Sequence, residues 1–185
     1  MGEPKATLQV HGEALLARQV RLLRSAGIVQ IAVVLAPDHP EACRLAESLS
    51  LQIVINPRPE RGMASSIQMG AQAIAGSVPR PVLLLPVDCA FARRDDLECI
   101  LSARLAADDA EEWIWRPSAG GKSGHPVLFG SKRACELAAL EPHKNARDYL
   151  REHAAQVRWV EVANPFIGRD LDVPLDLHDL PPLEL

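Results

Sequence analysis

The chain has 185 residues, of which 48% are apolar and 24% charged, the balance of an ordinary globular protein. With 20 Lys and Arg against 24 Asp and Glu, its net charge of −4 supplies no positive field for a nucleic-acid backbone. Its longest apolar stretch, Pro81 to Val87, falls far short of the ~20 residues a membrane-spanning helix needs. The opening Met1-Gly2-Glu3-Pro4-Lys5 shows no secretory leader, so a cytoplasmic protein is expected.

In chain order, 13–26 places Leu15, Leu16, Val20, Leu22 and Leu23 on one stripe, with Arg18, Arg21 and Arg24 outside it. This predicts an amphipathic helix closed by Gly27. The unbroken apolar run 31–36 suits a strand buried on both faces, as in a parallel sheet. A helix over 40–48, a strand over 51–55, a helix over 64–75 and a strand over 82–88 continue the alternation. The next helix, 95–107, has Asp95 or Asp96 as its natural N-cap. Beyond it, 113–115 and 126–129 read as strands, 132–140 and 145–153 as helices, and 157–162 as a strand with one wetter face. Strand and helix alternate without an internal repeat or linker. The expectation is one domain over 1–185, built as an open, mostly parallel sheet with helices on both faces and ligands at the carboxyl ends of the strands.

Those ends carry the unusual residues. Asn56-Pro57 leads through a Pro-rich loop to Gly62-Met63-Ala64-Ser65-Ser66 at a helix start, where backbone amides and hydroxyls suit either an anionic ligand or a plain N-cap. Asp88 closes a strand, a position suited to a metal or substrate ligand or to capping the next helix. In Asp170-Leu171-Asp172-Val173-Pro174 the two acids share a face if the backbone is extended, although acid before Pro is also ordinary turn chemistry. Paired with Asp88, this set suggests two carboxylates gripping Mg²⁺, an ion that keeps several waters and binds substrate phosphates. The stretch Gly120-Gly121-Lys122-Ser123 is not a Walker loop, because Arg116 occupies the position of its first glycine and a strand follows. Gly124-His125-Pro126 holds His125 before a proline, where its ring can face a ligand or cap a neighbour. Cys43, Cys89, Cys99 and Cys135 lack metal-site spacing and read as buried free thiols.

Taken together, Gly62-Met63-Ala64-Ser65-Ser66, Leu85-Pro86-Val87-Asp88, Gly124-His125-Pro126, Ala146-Arg147-Asp148 and Asp170-Leu171-Asp172-Val173-Pro174, in this order, resemble the molybdenum cofactor nucleotidyltransferases. The likeness is greatest to the cytidylyltransferase branch, with the guanylyltransferase branch next. The resemblance implies a three-layer α/β/α GT-A-like (Rossmann-type) fold that binds Mg²⁺ and an NTP, CTP or GTP. It further implies NMP transfer to a molybdopterin-type phosphate with release of pyrophosphate.

Carried over by position, Lys5, Asp88 and Asp172 are the catalytic set, with Asp88 and Asp172 holding the metal. Lys5, Asn56, Gly62, Ser65 and Ser66 are assigned to the nucleotide, and Gly124, His125 and Arg147 to the acceptor. The chain departs from the family pattern at its start, which coincides with the last two residues of the family's L-A-A-G-x-S-x-R-M-G segment. The first strand and phosphate loop are therefore expected to be absent from this chain, leaving two open strand flanks and a tendency to self-associate. A late-assigned start or a shortened, non-catalytic relative would each account for that departure. Ala90, Val173 and Leu175 are further differences, and they bear on the acceptor. A sugar or polyol phosphate as acceptor, or a nucleotide- or pterin-binding protein without catalysis, are the alternative readings.

Overall fold

The computed structural model describes residues 4–75, 78–140 and 146–171. The first strands are a short antiparallel pair, β1 (Gln9–Val10) and β2 (Glu13–Ala14), turned by His11 and Gly12 at positive φ. This hairpin takes Glu13 and Ala14 from the predicted helix, which begins later as α1 (Leu15–Ser25). Leu15, Leu16, Val20 and Leu22 are buried as the stripe requires, but Arg18 is buried with them. Arg18 was expected on the outer face. The correction has a packing reason: α1 is covered on more than one side, by β3 and α2 and by α4, so its buried face is wider than one stripe.

β3 (Ala32–Leu35), α2 (Pro40–Ser48) and β4 (Gln52–Ile55) follow at the predicted places, and β3 and β4 pair in parallel from Ala32↔Gln52 to Leu35↔Ile55. Pro40 occupies the first turn of α2, where its missing N–H is no loss. After α3 (Met63–Ala75), β5 (Val82–Leu84) is shorter than expected, ending before the Pro86 turn. α4 (Arg94–Leu105) is capped differently from the expectation. Arg93 is the N-cap residue, and Asp96, one turn in, accepts a hydrogen bond from its backbone N–H at 2.8 Å. The side chain of Asp96 is buried and also accepts from Asn164 Nδ2 at 2.7 Å.

β6 (Ile114–Ala119) and β7 (Lys122–Ser123) form a hairpin through Gly120 and Gly121, both at positive φ, so the Gly-Gly-Lys-Ser stretch is a turn. The chain then returns as β8 (Val127–Phe129), continues through α5 (Ser131–Ala138) and α6 (Ala146–Glu152), and ends its sheet with β9 (Val157–Glu161). The second sheet runs β5-β8-β6-β7, with β9 on the other side of β6. β6 and β9 are parallel, while β8 is antiparallel to both β5 and β6. The pairing is thus mixed where a mostly parallel sheet was expected, because the β6–β7 turn reverses the chain before β8. β5, β6 and β9 still share one direction.

Helices cover both faces. Val82, Ile114, Val127 and Phe129 face α3, α5 and α6, whereas Trp115 and Leu128 face Ile100 of α4. Among the described residues β3 pairs only with β4, and β5 only with β8. Each therefore has one edge without a strand partner, and both edges border a cavity of about 540 Å³ walled by Ile31, Val34, Ile67, Val82 and Leu84. The two open flanks expected from the sequence lie here. No helix among the described residues is long and apolar enough to cross a membrane.

Candidate active site

Asp88 stands just past the carboxyl end of β5, on a turn closed by a bond from Cys89 N to the Pro86 carbonyl at 3.1 Å. Gln19 of α1, itself buried, braces that turn by donating to the carbonyls of Cys89 (3.2 Å) and Val87 (3.4 Å). The carboxylate of Asp88 receives Lys5 Nζ at 3.0 Å. Lys5 begins a single 3₁₀ turn, Lys5–Thr7, whose Ala6 packs into the α1–α2 core and so fixes where the ammonium lies.

A second carboxylate approaches from the far end of the chain. Leu171 donates its N–H to the Asp88 carbonyl at 2.9 Å, and Asp170 accepts from the Cys89 thiol at 3.2 Å. Burial and this bond push the Cys89 thiol far up, so it is a neutral donor and not a nucleophile. Asp88 and Asp170 thus flank one turn. Two hard oxygen donors beside a lysine fit a divalent cation that keeps waters and carries substrate phosphates. Among the described residues no group of three or more His, Cys, Asp or Glu side chains gathers, so any such ion would rely on water and substrate for the rest of its shell. Asp172, the second expected metal ligand, lies outside the described residues.

The loop after β4 is organised by Asn56. Its backbone N–H continues the strand ladder to the Leu35 carbonyl at 2.8 Å, and its side chain is buried. Its amide nitrogen donates to Ser65 Oγ at 2.8 Å and Ser66 Oγ at 2.9 Å, while its carbonyl accepts from Arg58 N at 3.0 Å. One side chain therefore ties the loop to the start of α3. Gly62 has φ +81, a conformation that favours glycine, and its carbonyl accepts from Ser65 Oγ at 2.9 Å. Ser66 and Asp88 both line the cavity between β3 and β5. The expected nucleotide residues Asn56, Gly62, Ser65 and Ser66 are thus brought together.

Of the residues expected at the acceptor, Gly124 approaches the backbone so closely that an added Cβ would lie 1.9 Å from the Ile167 carbonyl oxygen. Packing alone demands glycine there. His125 follows, joined to Pro126 by a cis peptide bond, with its N–H donating to Ile167 O at 3.4 Å. Its ring is largely buried, and Nδ1 has no hydrogen-bond partner among the described residues. Burial lowers its pKa, the neighbouring Arg116 lowers it further, and a Leu84 backbone bond with the charges of Asp170 and Asp88 opposes this. Arg147 lies in the first turn of α6, exposed, and its charge is felt by Arg116. Arg116, whose charge lowers the His125 pKa, is not among the residues that the sequence singled out. An arginine in mid-strand between buried Trp115 and Pro117 was the available signal.

Comparison with known proteins supplies the family. In structure the chain is similar to Rv0371c from Mycobacterium tuberculosis H37Rv, with TM-score 0.75, 20% identity, and coverage of 97% of this chain and 90% of that one. Rv0371c is also known in complex with manganese. It is similar too to molybdopterin-guanine dinucleotide biosynthesis protein A from Archaeoglobus fulgidus, with TM-score 0.64, 15% identity, and coverage of 97% and 89%. In sequence it is 28% identical over 117 residues to a bifunctional IPC transferase and DIPP synthase from Thermococcus kodakarensis, a match covering 60% of this chain. The chain spans only 26% of the length of that relative. A family model described as the MobA-like NTP transferase domain matches residues 1–157, and the chain belongs to that family of nucleotidyltransferases.

Proposed function

We propose that the chain transfers NMP, CMP by preference, from an NTP to the phosphate of a molybdopterin-type acceptor with release of pyrophosphate. The observation that carries this reading is the convergence of Lys5, Asp88 and Asp170 on the turn at the carboxyl end of β5. In the proposed step an acceptor phosphate oxygen attacks the α-phosphorus, a new P–O bond forms, and the α–β bridging P–O bond breaks. Because the nucleophile is already ionised, the site requires no general base.

Asp88 and Asp172 are proposed to hold Mg²⁺, with Asp170 beside them, and the ion when bound neutralises charge on the polyphosphate. Lys5 contributes a second positive charge beside the phosphates. The Asn56-braced loop with Gly62, Ser65 and Ser66 receives the nucleotide, and Gly124, His125 and Arg147 border the acceptor. Positioning and charge neutralisation then supply the catalysis.

The test is pyrophosphate release with Mg²⁺, each NTP in turn and molybdopterin. Release that is largest with CTP and needs the pterin phosphate supports the proposal. Nucleotide binding without turnover would replace it with a binding role. A second reading keeps the nucleotidyl transfer and changes the acceptor to a sugar or polyol phosphate. A panel of such phosphates in the same assay separates the two.

A further inference from the structure

β9 ends the second sheet. Among the described residues it pairs only with β6, so one side of its backbone has no strand beside it. Val162 donates its N–H to the Ser118 carbonyl at 2.9 Å. Because strand residues alternate, Val160 and Arg158 also turn their backbone groups toward β6, and Val157, Trp159 and Glu161 turn theirs outward. Natural sheets guard such an edge with proline, lysine, a bulge or a covering element. β9 contains neither proline nor lysine, and its register with β6 runs unbroken from Ile114↔Val157 to Ser118↔Glu161. Its one cation is drawn onto the sheet face, with the Arg158 guanidinium 3.8 Å from the Trp113 ring centroid. At the middle of the edge stands Trp159, 58% exposed.

The strand is complementary to itself. An antiparallel copy of β9, related by a two-fold axis at Trp159, pairs all five residues: Trp159 with Trp159, Arg158 with Val160, and Val157 with Glu161. The outward N–H and C=O groups of Val157, Trp159 and Glu161 are then all satisfied, and no like charges stand opposite each other. An axis at Arg158 would set two arginines face to face, and an axis at Val160 would pair only three of the five residues.

The helix layer agrees. α4 packs over both β6 and β9, so two strand spacings, about 10 Å in all, would separate it from its copy, the ordinary distance between packed helices. Ala103 and Ala106 of α4, with Trp113 and Arg158, line a groove beside β9. Cys99, which is exposed, stands one turn before Ala103 on the same flank. Side chains this small let two helices approach.

We propose that the β9 edge is a dimer interface, at which two copies of this chain join into one continuous sheet with α4 packed on its own copy. The acidic turn after β5 is three strand spacings away across β8 and β6, about 14 Å, so the candidate site of each copy stays open. The interface is independent of the transferase reading.

The test applies sedimentation equilibrium and a short bis-maleimide to the full chain as wild type, Trp159→Lys and Cys99→Ser. Wild type is expected to dimerise, and Trp159→Lys, which sets two cations against each other at the axis, to raise the dimer Kd about 10-fold or more. The reagent should join wild-type chains covalently in pairs, and Cys99→Ser should abolish that product with Kd unchanged. A wild type that stays monomeric overturns the proposal. So does a Kd indifferent to Trp159→Lys, which would assign the association to another surface such as the open β3 and β5 edges, and so does cross-linking undiminished in Cys99→Ser. If Trp159→Lys does not fold, Trp159→Thr, which suits a strand and removes the aromatic contact, carries the same test.

Discussion

Lys5 and Asp88, 83 positions apart in the chain, meet at 3.0 Å beyond the end of β5. The pair joins the first described turn to the acidic turn, with both side chains about a quarter exposed. An ion pair that wet contributes little to stability. Its value lies in setting one positive and one negative group at the place where phosphates and a cation are proposed to bind.

Asp88→Asn should therefore lower pyrophosphate release about 100-fold or more while shifting the folding free energy by less than about 1 kcal/mol. Chemical denaturation alongside the kinetics checks both halves. A large loss of stability would make Asp88 a structural cap of its turn.

Gly124→Ala should fail in the opposite way. A Cβ 1.9 Å from the Ile167 carbonyl oxygen meets backbone that cannot rotate aside, so the 123–126 and 164–168 segments must separate. We expect a loss of about 3 kcal/mol or more in urea unfolding. An alanine tolerated with unchanged stability would mean that these two segments do not pack as described.

Asp96→Ala should be costly in stability. Its buried carboxylate serves both Arg93 N and Asn164 Nδ2, and Asn164 in turn donates to the Phe91 carbonyl at 2.8 Å. Removing it strips a helix cap and strands a buried amide donor, for about 2–3 kcal/mol. Equal midpoints for wild type and variant would contradict this.

The pH dependence of stability should carry a signature of His125. Its folded pKa lies below the unfolded value near 6.5, chiefly through burial and then through Arg116. The unfolded chain therefore binds the extra proton first, and the contribution is complete above about pH 6.5. It erodes as pH falls from there through the lowered folded value. His125→Asn should flatten that part of the curve, measured by urea midpoints between pH 7.5 and 5 at fixed salt. An unchanged slope would show that the ring titrates as if exposed.

The unpartnered edges of β3 and β5 predict association of this chain with itself or with an added apolar strand. Sedimentation velocity across a concentration series should show growth beyond the monomer. A monomer at the highest concentration would mean that the edges are closed in solution.

Much of the fold was legible because it depends on local periodicity. The 40–48 helix is found at Pro40–Ser48, and the apolar runs at 31–36 and 51–55 became the parallel pair β3–β4. The Gly-Gly-Lys-Ser turn was legible too, since its chain neighbours ruled out a phosphate loop. The ordered motifs also pointed to the family, because Asp88, Gly62 to Ser66 and Gly124-His125 mark strand ends and tight approaches that few sequences share in that order.

What the sequence could not decide depends on which surfaces meet. The burial of Arg18 follows from α1 being covered on more than one side, and the antiparallel course of β8 from a two-residue turn whose partner strand is not named by its own residues. Asn56 read as part of a ligand loop, and only its two bonds to Ser65 and Ser66 reveal it as the brace of that loop. Arg116 is the clearest case. Hydrophobic pattern and turn chemistry are properties of neighbouring residues, so the sequence alone determined the succession of helices and strands and the carboxyl ends where chemistry collects. The absence of a carboxylate partner for Arg116 among the described residues is a sum over distant parts of the chain. Electrostatic balance is set by distance in space, and for that reason only the tertiary structure decided it.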